Sequence, residues 1–549
     1  MAGGQGGAVA GGPNKKHQLR FRALEKVRVR PPSLVQICLR RVAANFLNYD
    51  NLHERIGKKQ LEDVFAMLNL DMPLHEAAAS IADENYWKRR TQRKHRNAQV
   101  EKHGYSWKQT FLELELQETL EQLPINYTPA EFEALKQQVA ASRLHVFQLA
   151  IGQFPSHIEL SFIFDMLPAL CSFTCTYGNR RLGMDYERAM FGMKISDAQY
   201  LARNLRVSQT LVSLSLPCNM IDDELVKVLM GGLSYCHMLT DLDLSHNKIG
   251  DRGARRLASM LDLDYCLQNL NLCDNQIHAN GCMHLGAHLA ENETCAVLNL
   301  RLNRCEDNGI SHLLQDLCVN KSLKALTISC NDLTVRCLPY MNSMIAENST
   351  LTELDLSANP LYTEEIAEEE RRAIGDSTTG AGDAAASAAG GGNATLGMST
   401  GMTASMDQTN LGGESSENVS AEEALLANLP ASGPFAVFAK CIMRSTSLLR
   451  VDVRQCGLPA ELADLITQTT KHKELKAKGI PVEAYVNYKS KEEEVAQPAE
   501  GAEGEEGEEG EEGEGAEGEG AEGEGAEGEE GAEKEGEEGA EKEGEEGGG

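Results

Sequence analysis

Residues 239–247 read Leu239-Thr240-Asp241-Leu242-Asp243-Leu244-Ser245-His246-Asn247, and the frame returns as Leu267-Leu270-Leu272-Asn275 and Leu351-Leu354-Leu356-Asn359. Its closing asparagine recurs at Asn219, Asn247, Asn275, Asn303, Asn331 and Asn359, 28 residues apart each time. Leucines at period two make a short strand with one buried face. Identical units in such regular succession must stack, so that their strands pair in parallel into one continuous curved sheet.

Between strands the apolar period becomes helical: Ile249, Gly253, Leu257 and Leu261 follow Asn247, and Ile277, Gly281, Leu285 and Leu289 follow Asn275. These positions predict a helix on the convex side of each repeat, with the glycine letting the chain turn into it. The unit is a leucine-rich repeat. The expected fold class is α/β: a ribonuclease-inhibitor-like solenoid of 28-residue repeats, with an all-helical N-terminal region and a disordered acidic C-terminal tail. The asparagines read as structural, their inward amides satisfying N–H and C=O groups that a turn would otherwise bury unpaired. Replacing one by Ala should cost about 1–3 kcal/mol, and a strand leucine about 2–5 kcal/mol.

The chain has 549 residues and a net charge of −31, divided very unevenly. From Glu492 to Gly549 there are 27 acidic residues and two lysines, whereas the first 110 residues carry 20 Lys and Arg against 10 acids. The 15 cysteines are odd in number and form no C-x-x-C pair. Several occupy apolar repeat positions (Cys295, Cys337) or sit at the turn (Cys218, Cys273, Cys330), which suits small thiols in a reducing compartment. The start has no apolar stretch of a signal peptide, and Ala2 stands where myristoylation requires glycine. The longest apolar run, Phe162 to Phe173, is interrupted by Asp165 and Pro168. An intracellular soluble protein with no membrane partner is expected.

In order, residues 1–13 are expected to be disordered and 14–145 helical. Ser33 opens a helix whose apolar stripe reads Leu34, Ile37, Cys38 and Val42. A second is expected over Lys59 to Leu70. A third should run from Leu74 through Trp87 into the cationic block Lys88 to Arg96, read either as a solvated face or as a contact for an acidic partner surface. Ser106 and the capping box Thr128-Pro129-Ala130-Glu131 start two more. Residues 146–362 are assigned to repeats, beginning with a helix over Ser156 to Leu167 and a divergent strand near Leu170 to Cys175; about 12 extra residues fall around Met184 to Met193. Residues 363–433 form a low-complexity insertion, 434–478 a final repeat and cap in which Cys456 takes the asparagine slot, and 479–549 the disordered Glu/Gly-rich tail.

The concave positions include Asp241, Asp243, Asn269, Asn271, Asn299, Arg301, Thr327, Glu353 and Asp355. They form a polar, mildly acidic surface suited to a partner with polar or basic groups. Asp241/Asp243 and Glu353/Asp355 imitate paired catalytic carboxylates, yet no nucleophile or ligand set accompanies them. His284 and His288, with Cys282, have metal-ligand spacing but lie beside the inward positions, and read as exposed convex histidines. No nucleotide or hydrolase motif is present. No catalytic, cofactor-binding or metal site, no cofactor, and neither nucleic acid nor a small-molecule substrate is expected.

Glu84-Asn85-Tyr86-Trp87-Lys88-Arg89, His103-Gly104-Tyr105-Ser106-Trp107-Lys108, Gly183-Met184-Asp185-Tyr186-Glu187 and Leu298-Asn299-Leu300-Arg301-Leu302-Asn303 resemble the T-complex-associated testis-expressed protein family, subunit 5 of the nexin-dynein regulatory complex. The resemblance implies a non-enzymatic scaffold of motile cilia and flagella, located in the axoneme. It would bind other subunits of that complex, with doublet microtubules or dynein arms as further partners, and help restrain dynein-driven sliding. The competing readings are a GTPase activator of the Ran-directed type, which also joins such repeats to an acidic tail, and an inhibitor like ribonuclease inhibitor.

Overall fold

The computed structural model describes residues 32–49, 51–179, 191–363 and 434–479. The expectations for residues 1–13, for most of the extra segment near Met184, for the insertion beyond residue 363 and for the acidic tail lie outside the described residues.

The N-terminal part contains α1 (Leu34–Ala44), α2 (Leu52–Arg55), α3 (Lys58–Met67), α4 (Leu74–Ser80), α5 (Glu84–Lys94), α6 (Trp107–Gln122) and α7 (Pro129–Ser142). Ser33 and Thr128 cap α1 and α7 through reciprocal bonds with Gln36 and Glu131, and the Ser106 hydroxyl accepts from the Gln109 N–H at the start of α6. The helix expected from Leu74 into the cationic block is two helices. The Asp83 carboxylate accepts the Tyr86 N–H at 2.7 Å and opens a new one, while Ile81 turns extended and buries its side chain. An aspartate that can cap competes with helix continuation. The α1 stripe is also corrected: Leu39 is buried, with Val42 and Ala43 packed on the core, whereas Leu34, Ile37 and Cys38 face solvent.

Nine strands follow: β1 (Gln148–Phe154), β2 (Ser172–Tyr177), β3 (Ser213–Ser215), β4 (Asp241–Asp243), β5 (Asn269–Asn271), β6 (Val297–Asn299), β7 (Ala325–Thr327), β8 (Glu353–Asp355) and β9 (Arg450–Asp452). They pair in sequence order, all parallel, in one sheet. From β3 to β9 the register places Leu214, Leu242, Leu270, Leu298, Leu326, Leu354 and Val451 in one buried row. β9 therefore joins β8 directly although a long stretch of chain intervenes. β1 was not anticipated, and the helix expected over Ser156 to Leu167 is reduced to α8 (Ser161–Met166). His157, at φ 51°, stands in the left-handed region, outside the α-helical one.

The convex helices are α9 (Ile195–Val207), α10 (Asp223–Leu233), α11 (Asp251–Ala258), α12 (Ala279–Glu291), α13 (Glu306–Leu317), α14 (Leu338–Glu347) and α15 (Pro434–Arg444), and α16 (Ala460–Ala477) follows β9. Ile249, Leu257, Leu261, Ile277, Leu285 and Leu289 are all buried under them. The glycines act differently from the expectation. Gly253 and Gly281 lie within the first turns of α11 and α12, and a Cβ on Gly253 would stand 2.6 Å from Ile249 Cγ2 and 2.7 Å from Asp223 Oδ1. That oxygen accepts the Gly250 and Gly253 N–H groups at 2.8 and 2.9 Å, and Asp251 serves His278 and Gly281 in the same manner. Glycine here makes room for a carboxylate from one repeat to cap the helix of the next.

The asparagines form an internal ladder. Asn247 Oδ1 accepts the Asn219 and Ile221 N–H groups at 2.9 and 3.0 Å, and its Nδ2 donates to the carbonyls of Leu216, Leu244 and Ser245. Asn275, Asn303, Asn331 and Asn359 repeat the arrangement. Just before each stands a non-glycine residue in the left-handed region, such as His246 at φ 57°, Leu302 at 56° and Ala358 at 55°. The ladder holds in place a turn that a free chain would avoid. Cys282 and Cys305 face each other across the buried seam of adjoining repeats. Cys295 and Cys337 are buried free thiols, and burial pushes the Cys295 thiol up to about 12.

Candidate functional site: a concave face between two closed edges

A sheet edge is an open row of unpaired N–H and C=O groups. At β1 it is closed by α6. Glu113, only 2% exposed, accepts the Phe147 and Gln148 N–H groups at 2.8 and 3.0 Å through Oε1, while its Oε2 meets His103 Nδ1 at 2.6 Å. Two turns further along α6, Glu121 accepts the Gly152 N–H at 2.7 Å. Strand addition at this edge is thereby blocked.

The far edge is closed by α16. Arg450, on the concave side of β9, donates to Glu353 at 2.9 Å and to Glu474 of α16 at 2.8 Å; Lys471 and Lys478 join the same carboxylate. Arg450 and these two lysines hold the Glu474 carboxyl at about 2. Beside it Arg454 clasps Asp452, holding that carboxyl below its usual range. These groups line a cleft of about 450 Å³ with Thr327, Asp355 and Thr470.

Between the edges the concave side chains bond across strands. Asp243 accepts from the Ser215 hydroxyl, the Ser245 N–H and the Asn271 amide at 2.9–3.0 Å, and Asp241 from Asn269. Asn271, Asn299, Asp355 and Asp452 likewise each accept the N–H two residues on. The mildly acidic surface read from sequence therefore has two parts. Asp241 and Asp243 meet no Lys or Arg among the described residues, whereas Glu353 and Asp452 are answered by Arg450 and Arg454. The carboxylates are engaged as acceptors in amide, hydroxyl and guanidinium bonds, an arrangement suited to hydrogen-bonded recognition.

The cationic block of α5 is partly engaged within the protein. Arg89 donates to the carbonyls of Phe65 and Ala66, Arg90 to that of Met72, Arg93 to Asp71, and Lys94 to Glu115. Trp87, fully buried, donates its indole N–H to the Ile81 carbonyl. The block thus divides: Arg89 and Arg90 cap the ends of neighbouring segments through carbonyls, while Lys88, Arg93, Lys94 and Arg96 remain exposed, as a solvated face would have them. His95, Glu115 and Glu118 converge closely enough to hold a metal ion, but Lys94 Nζ already stands 2.7 Å from Glu115 and 3.0 Å from Glu118 as their cation. Of the other spaced candidates, Cys282 points into the core, and His288, one-third exposed, bonds Asp262 at 2.6 Å.

The sequence reading missed a second ladder. Asn292, Asn320 and Asn348 reach back to the carbonyls of Leu261, Leu289 and Leu317, and accept the N–H groups two and three residues on. Its signal was Asn-x-Thr/Ser at 28-residue spacing, in Asn292-Glu293-Thr294, Asn320-Lys321-Ser322 and Asn348-Ser349-Thr350.

A family model for a leucine-rich repeat matches residues 235–258. Dynein regulatory complex subunit 5 of Chlamydomonas reinhardtii is 40% identical over 198 residues, covering 36% of this chain and 50% of its own length. The Mus musculus protein of the same name is 30% identical over 230 residues, 37% of this chain and 46% of its own. The chain thus spans about half the length of the curated relatives it matches. A crystal structure of the yeast Rad7 and Elc1 complex aligns over 62% of this chain and 90% of its own at 16% identity, with a TM-score of 0.26. The chain is thus similar, over its matched stretch, to proteins named dynein regulatory complex subunit 5 in an alga and in mammals, in keeping with the family resemblance of its sequence motifs.

Proposed function

We propose that this chain is a non-enzymatic scaffold subunit of the nexin-dynein regulatory complex in the ciliary or flagellar axoneme. It helps link doublet microtubules and regulate dynein-driven sliding through protein–protein binding. The similarity to dynein regulatory complex subunit 5 in an alga and in mammals carries this reading. The geometry supports it: the edges are closed, the concave carboxylates serve as acceptors in a recognition surface, and no described helix is long and apolar enough to cross a membrane. In this reading residues 14–145 anchor the subunit to neighbouring subunits, and the solenoid over 146–362 and 434–478 presents a second surface.

The test is capture by the full chain from detergent-extracted, salt-washed axonemes, with the bound proteins identified by mass. Recovery of other subunits of the linker complex supports the scaffold. Capture of a small GTPase from whole cytosol instead, with stimulated hydrolysis, replaces it by the Ran-type activator reading.

A further inference from the structure

Of the α1 positions that the sequence marks as apolar, only Val42 packs. Leu34, Val35 and Ile37 are 77%, 58% and 50% exposed, while Leu39 is buried and Val42 and Ala43 pack against the core. Just beyond α1, Leu47, 46% exposed, lines two hollows of about 490 and 270 Å³. Ala44 and Met67 wall the first, Tyr49 and Phe65 the second. Exposed apolar side chains beside hollows of side-chain size are how a folded protein receives a partner's anchors.

Charge specifies the partner. Arg40 and Arg41 are exposed on α1 and pair with no carboxylate among the described residues. The sequence just before, residues 14–30, holds seven Lys and Arg against one Glu. We propose that α1 and the hollows beside Leu47 dock an acidic amphipathic helix of another protein, its apolar residues entering the hollows and its carboxylates meeting Arg40 and Arg41. The proposal deepens, and rests on, the anchoring reading above. The chain's own acidic tail is a poor occupant: from Glu492 onward it offers Val495 as its single large aliphatic side chain. A second copy docked through this same face would bring two basic patches into one interface. A bilayer fits convex apolar ridges better than receding hollows.

The probe is a labelled three-heptad synthetic peptide with leucine at a and d and glutamate at e and g, titrated into the full chain by fluorescence anisotropy. Binding that weakens with salt is expected, reduced at least tenfold by Ile37→Asp and by Arg40→Glu/Arg41→Glu, with unchanged thermal melting because these side chains are exposed. The same peptide with lysine for glutamate should bind at least tenfold more weakly to the wild type. The proposal is overturned if Ile37→Asp leaves binding unchanged, or if a Glu-Gly-Ala peptide copying residues 504–530 binds as tightly. Anionic phospholipid vesicles capturing the wild type but not Ile37→Asp, or a dimer lost in that variant, would also overturn it. The assay contains no axonemal protein, so its failure leaves the capture experiment to decide the scaffold reading separately.

Discussion

Replacing Asn247 by Ala removes a side chain that serves five backbone groups in two repeats: the N–H groups of Asn219 and Ile221 and the carbonyls of Leu216, Leu244 and Ser245. Each buried group left unpaired costs about 1–3 kcal/mol. They will not all be dry, because the vacated space is polar and can admit water. A net loss of about 3–5 kcal/mol follows, more than a single-amide argument suggests. In a solenoid the damage should be local, since each repeat contacts its neighbours alone. Native-state amide exchange is therefore the assay. The Asn219 and Ile221 amides should exchange about 10²–10⁴ times faster in Asn247→Ala, while those of Asn331 and Leu333, held by Asn359, keep their protection. Asn247→Asp retains the acceptor but presents a carboxylate to three carbonyls, and should be at least as damaging. Unchanged exchange at Asn219 and Ile221, or equal loss at Asn331, would refute the reasoning.

Gly253→Ala should lower stability by up to about 2 kcal/mol: overpacking against Ile249 and Asp223 costs about 1–3 kcal/mol, set against a helix-propensity gain of about 1 kcal/mol. A urea midpoint that rises in the variant would contradict the close-approach account. At the C-terminal edge, the Glu474 carboxyl is held at about 2, below its ordinary 4.5, by Arg450, Lys478 and Lys471. Its contribution is therefore complete above about pH 4.5 and is lost as the pH falls towards 2. Exchange of the α16 amides should accelerate over that window in the wild type, and Glu474→Gln should abolish the acid dependence; identical profiles in both would show that the ion cluster does not hold the edge.

Legibility followed locality. Ser33, Ser106 and Thr128 announced their helices because a cap needs three or four neighbouring residues. β1 was invisible because Leu149 and Ile151 lack the repeat consensus, and the partners that close the strand, Glu113 and Glu121, lie 31–35 residues earlier on another helix. The break at Ile81 and Asp83 was hidden because the apolar pattern runs through it.

The 28-residue recurrence of leucine and asparagine by itself determined the parallel sheet, its register and the buried amide ladder, because every repeat meets a copy of itself and nothing more distant. What each long polar side chain does was decided by tertiary structure alone. Arg89 and Arg90 of α5 serve carbonyls of α3 and the loop after it, Arg450 is tied to Glu353 and Glu474 from two different elements, and Leu34, Ile37 and Cys38 of the α1 stripe face water. Such side chains reach partners up to 97 residues away, and which partner stands there depends on how whole elements pack, which no local pattern encodes.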